Sequence, residues 1–429
     1  MMQRNGSPLL QAWLAVALLF PVALLNYLDR QIFSTMKASI MADLPTIGTE
    51  QKFGALMGVF LIVYGVFSPV GGYFADRFNR RCAVIGSLGI WSLITWLTGH
   101  AHTYEQMWWA RAAMGLSEAC YIPAALALIA DFHTGPTRSR AVGIHQAGIY
   151  AGIALGGLGG FIAESSYGWR AAFNGFGLAG VLYAFVLVAF LRNPPKPTVS
   201  AGLSAGLRLG PSLRSLLSLA PFLLLVIYFT LPALPGWMMK NWLPAILADT
   251  FHLGQGKAGI NATLWITLAS FGGVLGGGAL ADRWVRANPR GRIYTSALGM
   301  ALVIPALFGV GYAPTLGAAV ACLILFGVGW GLFDCNNMPI LCQIVRPELR
   351  ATGYGIMNLV SIVAGGIFTA KIGALRDAGV APAYLFCFCA LAAAVSVALV
   401  LCIRPRRAQE GETLGAASPD VQKKGIAIS

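Results

Sequence analysis

About twelve apolar stretches of roughly 20 residues recur along the 429-residue chain, separated by short charged loops. A helix of that length crosses a hydrocarbon core about 30 Å thick. In lipid each backbone N–H and C=O must be satisfied within its own segment, so repeated stretches of this kind demand membrane-spanning helices. The predicted spans are 9–32, 53–75, 82–100, 105–131, 139–163 and 169–191, then 220–247, 257–281, 293–312, 315–345, 350–374 and 381–403. Only 11% of the residues are charged, against roughly a quarter in soluble domains, which excludes a soluble fold. The fold class is an all-α membrane protein of twelve transmembrane helices.

The net charge of +14 would suit nucleic acid, but its placement excludes that partner. With the helices threaded alternately, about 21 of the 30 Lys and Arg fall on one side, as the positive-inside rule requires of the cytoplasmic face. They include Arg77, Arg80, Arg81, Arg138, Arg140, Arg283 and Arg350, together with the central and C-terminal loops. Both termini are therefore expected in the cytoplasm. The first apolar stretch is too long and too poor in small cleavage-site residues for a secretory signal, and is read as a retained helix. Compact loops and short tails point to a bacterial inner membrane. The eight cysteines lack the spacing of a zinc or redox site. No cofactor is expected beyond a proton as coupling ion, and no metal.

The chain repeats itself. Gly71-Gly72-Tyr73-Phe74-Ala75-Asp76-Arg77 follows the second helix, and Gly277-Gly278-Ala279-Leu280-Ala281-Asp282-Arg283 follows the eighth. In the fourth and tenth helices, Glu118 and Asp334 each precede a proline, Pro123 and Pro339, by five positions. Parallel repeats of this kind fit two halves related by an axis along the membrane normal. The expected organisation is an N-terminal six-helix bundle at 1–192, a cytoplasmic linker at 193–219 opening on Pro194-Pro195-Lys196-Pro197, a C-terminal six-helix bundle at 220–404 and a cytoplasmic tail at 405–429.

Over nearly its whole length this pattern resembles the major facilitator superfamily, whose loop signature between helices two and three looks like Gly71 to Arg81, with Asn79 in place of the usual glycine. Asn26-Tyr27-Leu28-Asp29-Arg30, Arg111 with Gly115 and Glu118-Ala119, and Gly168-Trp169-Arg170 resemble the anion:cation symporters that carry sugar acids and related organic anions. Spinster-like lipid transporters share much of this pattern. The resemblance implies two pseudo-symmetric six-helix bundles that alternate access around a central site. It also implies a conformational-switch role for the loop signatures, making Gly72, Asp76, Arg77, Gly278, Asp282 and Arg283 gating candidates.

An ionisable side chain at mid-membrane costs roughly 2.5–3.5 kcal/mol on insertion scales and asks for a partner or a task. Asp29, Arg30, Arg111 and Glu118 are such residues, and Arg111 and Glu118, seven apart, share a helix face. Arg30 and Arg111 present planar forks suited to a carboxylate. Glu118, against an apolar wall, and Asp29 are the proton candidates, since burial disfavours the charged form. The competing reading is that the four neutralise one another in a fixed network. Gln146 and Tyr150, four apart in helix five, suit sugar hydroxyls. Asn336 and Asn337, adjacent in helix ten, supply at most one ligand from the second half. His145 is read as an interfacial histidine without a transport role, and Lys240 as a loop charge on the extracellular side. Pro232, Pro235 and Gly236 suggest a kink or gate around Trp237.

The leading expectation is proton-coupled symport of a small organic anion, a hexuronate or aldonate, by a chain that acts as a monomer in the bilayer. The alternative is export of a lysolipid or amphipathic drug. An enzyme is not expected: the five histidines are scattered without metalloprotease spacing, and no Gly-x-Ser-x-Gly occurs.

Overall fold

The computed structural model describes residues 8–77, 79–133, 137–193, 209–346 and 349–403. Twelve helices in it are long and apolar enough to cross a membrane. They are α1 (Leu9–Thr35), α2 (Glu50–Gly71), α3 (Arg80–Thr98), α4 (Tyr104–Phe132), α5 (Arg140–Glu164) and α6 (Gly168–Phe190), then α7 (Ala220–Asn241), α8 (Gln255–Ala287), α9 (Gly291–Gly311), α10 (Leu316–Ile344), α11 (Thr352–Asp377) and α12 (Pro382–Cys402). The tail beyond 403 and most of the linker lie outside the described residues. Within the segment read as linker, Leu209–Leu217 forms a short helix.

Packing carries the repeat that the sequence shows. In the first half α1 packs on α5, α2 on α4, and α3 on α4 and α6; in the second α7 packs on α11, α8 on α10, and α9 on α10 and α12. Adding six to each helix number turns one set into the other. The two main cross-half pairs, α2 with α11 and α5 with α8, exchange under the same operation. Small residues let these helices approach closely, which in lipid replaces the hydrophobic drive of a soluble core. A Cβ on Gly152 of α5 would lie 2.2 Å from the Leu24 carbonyl oxygen of α1, and one on Gly58 of α2 would lie 2.7 Å from that of Gly366 in α11.

The echo between helices four and ten has a structural cause. Proline excludes the carbonyl four residues before it and supplies no N–H. Pro123 and Pro339 therefore interrupt hydrogen bonding at Ala119 and Cys335, and the helices break there: Tyr104–Glu118 gives way to Tyr121–Phe132, and Leu316–Asp334 to Asn337–Ile344. Each half thus presents an acidic residue at a helix break midway along its span. The seventh helix stops earlier than the apolar run suggests, at Asn241 rather than 247, because Pro244 suits the first turn of a new helix, Leu243–Phe251.

Polar contacts join the halves at the end remote from the basic loops, here the far end. Glu50 at the start of α2 pairs with Lys37 and with Arg376 at 3.4 Å, and Arg376 also holds Asp249 at 2.5 Å. Asp377 accepts from the backbone N–H groups of Glu50 and Gln51 at 3.0 and 2.8 Å. Glu164 accepts likewise from Gln255 and Gly256 at the start of α8, and Gln255 donates to Ser39 at 2.7 Å. At the basic end Arg80 pairs with Asp131, and Arg292 with Asp282 at 3.8 Å, each within its own half. The halves are thus latched at the far end.

Candidate functional site

The polar residues of α1 and α4 converge in the middle of the first half. Asn26, Asp29 and Arg30 fall at i, i+3 and i+4, one face of α1. That face meets Glu118 where α4 breaks. Arg30 Nε donates to Glu118 Oε2 at 2.6 Å, with the side chains 10% and 0% exposed. Aromatic rings enclose the guanidinium: its carbon lies 4.7 Å from the Tyr27 centroid, 4.5 Å from Tyr64 and 5.1 Å from Phe60. The pair is not fully satisfied. Arg30 Nη2, Glu118 Oε1 and both amide atoms of the neighbouring Asn26 are buried without a hydrogen-bond partner. A buried polar atom left unpaired costs about 1–3 kcal/mol, so such a cluster marks a place where another group belongs.

Asp29 and Arg111 stand apart from that pair. Asp29 accepts from Thr95 Oγ1 at 3.2 Å, and its second oxygen is unpartnered. Arg111 donates to the Leu56 carbonyl at 3.4 Å and lies 4.5 Å from the ring centroids of both Phe33 and Phe60. Among the described residues no carboxylate reaches it within ion-pair distance. The competing expectation of four mutually neutralising charges therefore reduces to one ion pair, with Asp29 and Arg111 outside it.

Between the halves lies a cavity of about 20 Å³, room for about one water, lined by Tyr27, Arg30, Phe60 and Arg111 from the first half and by Trp237 and Lys240 from the second. Lys240 corrects an expectation. It is not a loop charge but the last turn of α7, with its ammonium 4.9 Å from the Trp237 ring centroid. Its carbonyl accepts from Gln31 Nε2 at 3.0 Å and Ser34 Oγ at 3.2 Å, so this turn is tied to α1 across the interface. Pro232 and Pro235 lie within the same helix, with Gly236 close against Trp330.

The remaining candidates divide. Asn336 is buried and spends its amide N–H on the Leu332 carbonyl at 2.9 Å, closing the break in α10. Asn337, 2% exposed, has neither amide atom partnered and is the one of the two free for a ligand. Asp334 is exposed, and Gln146 of α5 is exposed beside the half-buried Tyr150, which meets Phe271 of α8 at 6.1 Å. Gly278 borders open space, Asp282 reaches Arg292, and Arg283 is exposed. The side chains of Gly72, Asp76 and Arg77 lie outside the described residues.

His145 is a second correction: it is wholly buried, not interfacial, with Nε2 2.9 Å from the Tyr121 hydroxyl. Phe60 and Tyr64, four apart on α2, were not foreseen as part of the site. Their spacing puts them on one face, and that was the available signal.

The arrangement has the chemistry of an anion site coupled to a carboxyl group. Three cations line one enclosed space, its lining contains no Asp or Glu, and the carboxylate that neutralises one of them sits behind it. Protonating Glu118 would free the inward edge of Arg30.

The family model of the Major Facilitator Superfamily matches residues 19–370. An MFS-type efflux pump of Mycolicibacterium smegmatis is 28% identical over 376 residues, covering 86% of this chain and 85% of the pump. Human protein spinster homolog 1 is 30% identical over 323 residues, 69% of this chain and 59% of its own length. A probable L-galactonate transporter of Escherichia coli is 27% identical over 274 residues, 61% of this chain and 60% of that one. Among solved structures, a bacterial homolog of the lysosomal transporter spinster, inward-facing and unoccupied, superposes with TM-score 0.72 at 19% identity over 91% of this chain and 95% of that one. A D-xylose–proton symporter superposes with TM-score 0.73 at 14% identity over 92% of this chain and 98% of that one. At such identities the superpositions speak for the fold alone, and they agree with the twelve helices, the two related halves and the matched family model: this chain is a membrane transporter, not an enzyme, and belongs to the Major Facilitator Superfamily.

Proposed function

We propose that this transporter is a proton-coupled symporter of a small organic anion, working by alternating access in a bacterial inner membrane. The observation that carries the reading is the half-satisfied Arg30–Glu118 pair beside a cavity lined by three cations and no carboxylate. Removing one charge of a buried pair costs about 3–5 kcal/mol because the other is left uncompensated. Protonating Glu118 alone would impose that cost on Arg30. An anion entering the cavity relieves it by taking the place of the carboxylate. Proton and anion therefore bind best together, which is the condition for symport.

Gln146, Tyr150 and Asn337 are the proposed ligands for hydroxyl groups, with Asp29 a second proton site. Sugar acids such as hexuronates and aldonates combine the required charge with such hydroxyls, and the similarity to a probable L-galactonate transporter supports that class. By the positive-inside rule the basic loops and both termini are cytoplasmic, so the far-end latch closes the outer face. The duplicated loop signatures act at the inner face as gating elements, and each chain carries a complete path.

A second reading has its own support. Tyr27, Phe60, Tyr64 and Trp237 form an aromatic wall, and the relatives include an efflux pump and spinster homologs. Export of an amphipathic molecule would use that wall. Glu118→Gln tests the coupling in proteoliposomes: the symport reading expects gradient-driven accumulation of the anion to be lost while counterflow exchange continues. A mutant that still accumulates anion on a proton gradient would remove Glu118 from the mechanism.

A further inference from the structure

Arg30 can hold Glu118 only while the carboxyl is charged. A guanidinium donates and never accepts, so protonating Glu118 ends that bond and creates an O–H that needs an acceptor of its own. Leaving such a group buried without one is costly. Asn26 offers the missing acceptor. It is wholly buried, it stands one turn before Arg30 on α1, and its amide lies beside the Glu118 carboxyl without a formed hydrogen bond. Neither amide atom has another partner, and Glu118 Oε1 has none either. The amide is therefore free to present its N–H₂ to the carboxylate or its oxygen to the acid.

The other groups around Glu118 are engaged elsewhere. Arg30 and Arg111 only donate. Asp29, whose charge Glu118 feels, is turned to α3: Thr95 donates to its Oδ2 and Trp91 lies beside it, and neither of those brings a charge. The rings of Tyr27 on α1 and Tyr64 on α2 face the Arg30 guanidinium. From α5, His145 is bonded to Tyr121.

Resting on the symport reading above, we infer that Asn26 is the positioning residue of proton coupling: its amide oxygen accepts the hydrogen bond of protonated Glu118 and holds the neutral carboxyl while Arg30 turns to the anion. The proton adds to Oε1, the carboxyl loses its charge, the bond from Arg30 Nε to Oε2 breaks and one from the new O–H to Asn26 Oδ1 forms. Arg30 keeps its charge throughout. When the proton leaves, the carboxylate returns to Arg30 and displaces the anion. An apolar residue of the same shape as Asn26 would leave the carboxylate bonded as it is and strip the acid of its partner.

The test is infrared difference spectroscopy on the purified full-length transporter, titrated with acid. The C=O band of protonated Glu118 is assigned in each variant by its loss when Glu118→Gln is added. Asn26→Leu is expected to move that band to the higher frequency of an unbonded acid, and to lower the pH at which it appears by about one unit. Asn26→Asp places a charged acceptor beside Oε1 and should raise that pH instead. A merely structural role would not split the two variants in opposite directions, and their melting temperatures confirm folding. An unchanged band and pH in Asn26→Leu, or the expected changes in Asp29→Asn with none in Asn26→Leu, would overturn the inference. A wild type without any carboxyl band that Glu118→Gln removes would overturn the symport reading itself, and this inference with it.

Discussion

Arg376 joins two carboxylates across the far end of the interface, and its removal should move the transporter between its states rather than unfold it. The guanidinium is 12% exposed, holds Asp249 of its own half at 2.5 Å and reaches Glu50 of the other half at 3.4 Å. Of its two pairs only that with Glu50 crosses between halves, beside the Asp377 bonds to the start of α2. Partly exposed ion pairs are worth about 0.2–1 kcal/mol each. Arg376→Gln loses the cross-half pair outright while Glu50 keeps Lys37, so a shift of about 0.2–1 kcal/mol towards the far-end-open state is expected, or roughly 1.4- to 5-fold in the ratio of states. Double electron–electron resonance between spin labels on the far-end loops of the two halves would report that ratio. High salt should shrink the difference, since screening weakens exposed pairs first. Unchanged distance distributions in a variant of wild-type melting temperature would refute the latch.

Two further substitutions separate the interface from the bundles. Gly58→Ala puts a Cβ 2.7 Å from the Gly366 carbonyl oxygen across the interface, and should favour far-end opening, read by the same distance measurement, at little cost in melting temperature. Gly152→Ala, by contrast, strikes α1 inside the first half and should cost about 1–3 kcal/mol in every state, seen as a lower melting temperature. His145→Phe loses the bond to Tyr121, and should destabilise by about 1–3 kcal/mol while leaving proton-driven uptake intact in transport assays, since His145 lies away from the cavity lining.

The twelve spans were legible because lipid admits few alternatives to the helix, and apolar length alone then marks each crossing. The Glu118 and Asp334 echo was legible as a pattern, and proline sterics turn it into a pair of helix breaks. Lys240 was misplaced for a physical reason: hydropathy shows that a cation lies near a helix end but not which way it turns, and in the last turn of α7 this one faces the cavity between the halves. Nor does hydropathy reveal how a helix is rotated. The aromatic cage of Phe60 and Tyr64 around Arg30 depends on how α2 turns toward α1, which packing against α4 and α11 decides. For the same reason His145 read as interfacial by its distance from the basic loop, although its face of α5 turns inward to Tyr121. The adjacent amides show the limit from the other side. Helix geometry says that at most one of Asn336 and Asn337 can supply a ligand, and the bond from Asn336 to Leu332 leaves Asn337 as the unpartnered one.

Uptake of labelled organic anions by proteoliposomes containing this chain alone, with and without an imposed inward proton gradient, tests the central claim most directly. Accumulation of sugar acids above equilibrium that collapses with a protonophore is the predicted result. No gradient-driven uptake of any anion, together with transport of a lysolipid or an amphipathic dye by the same vesicles, would contradict it.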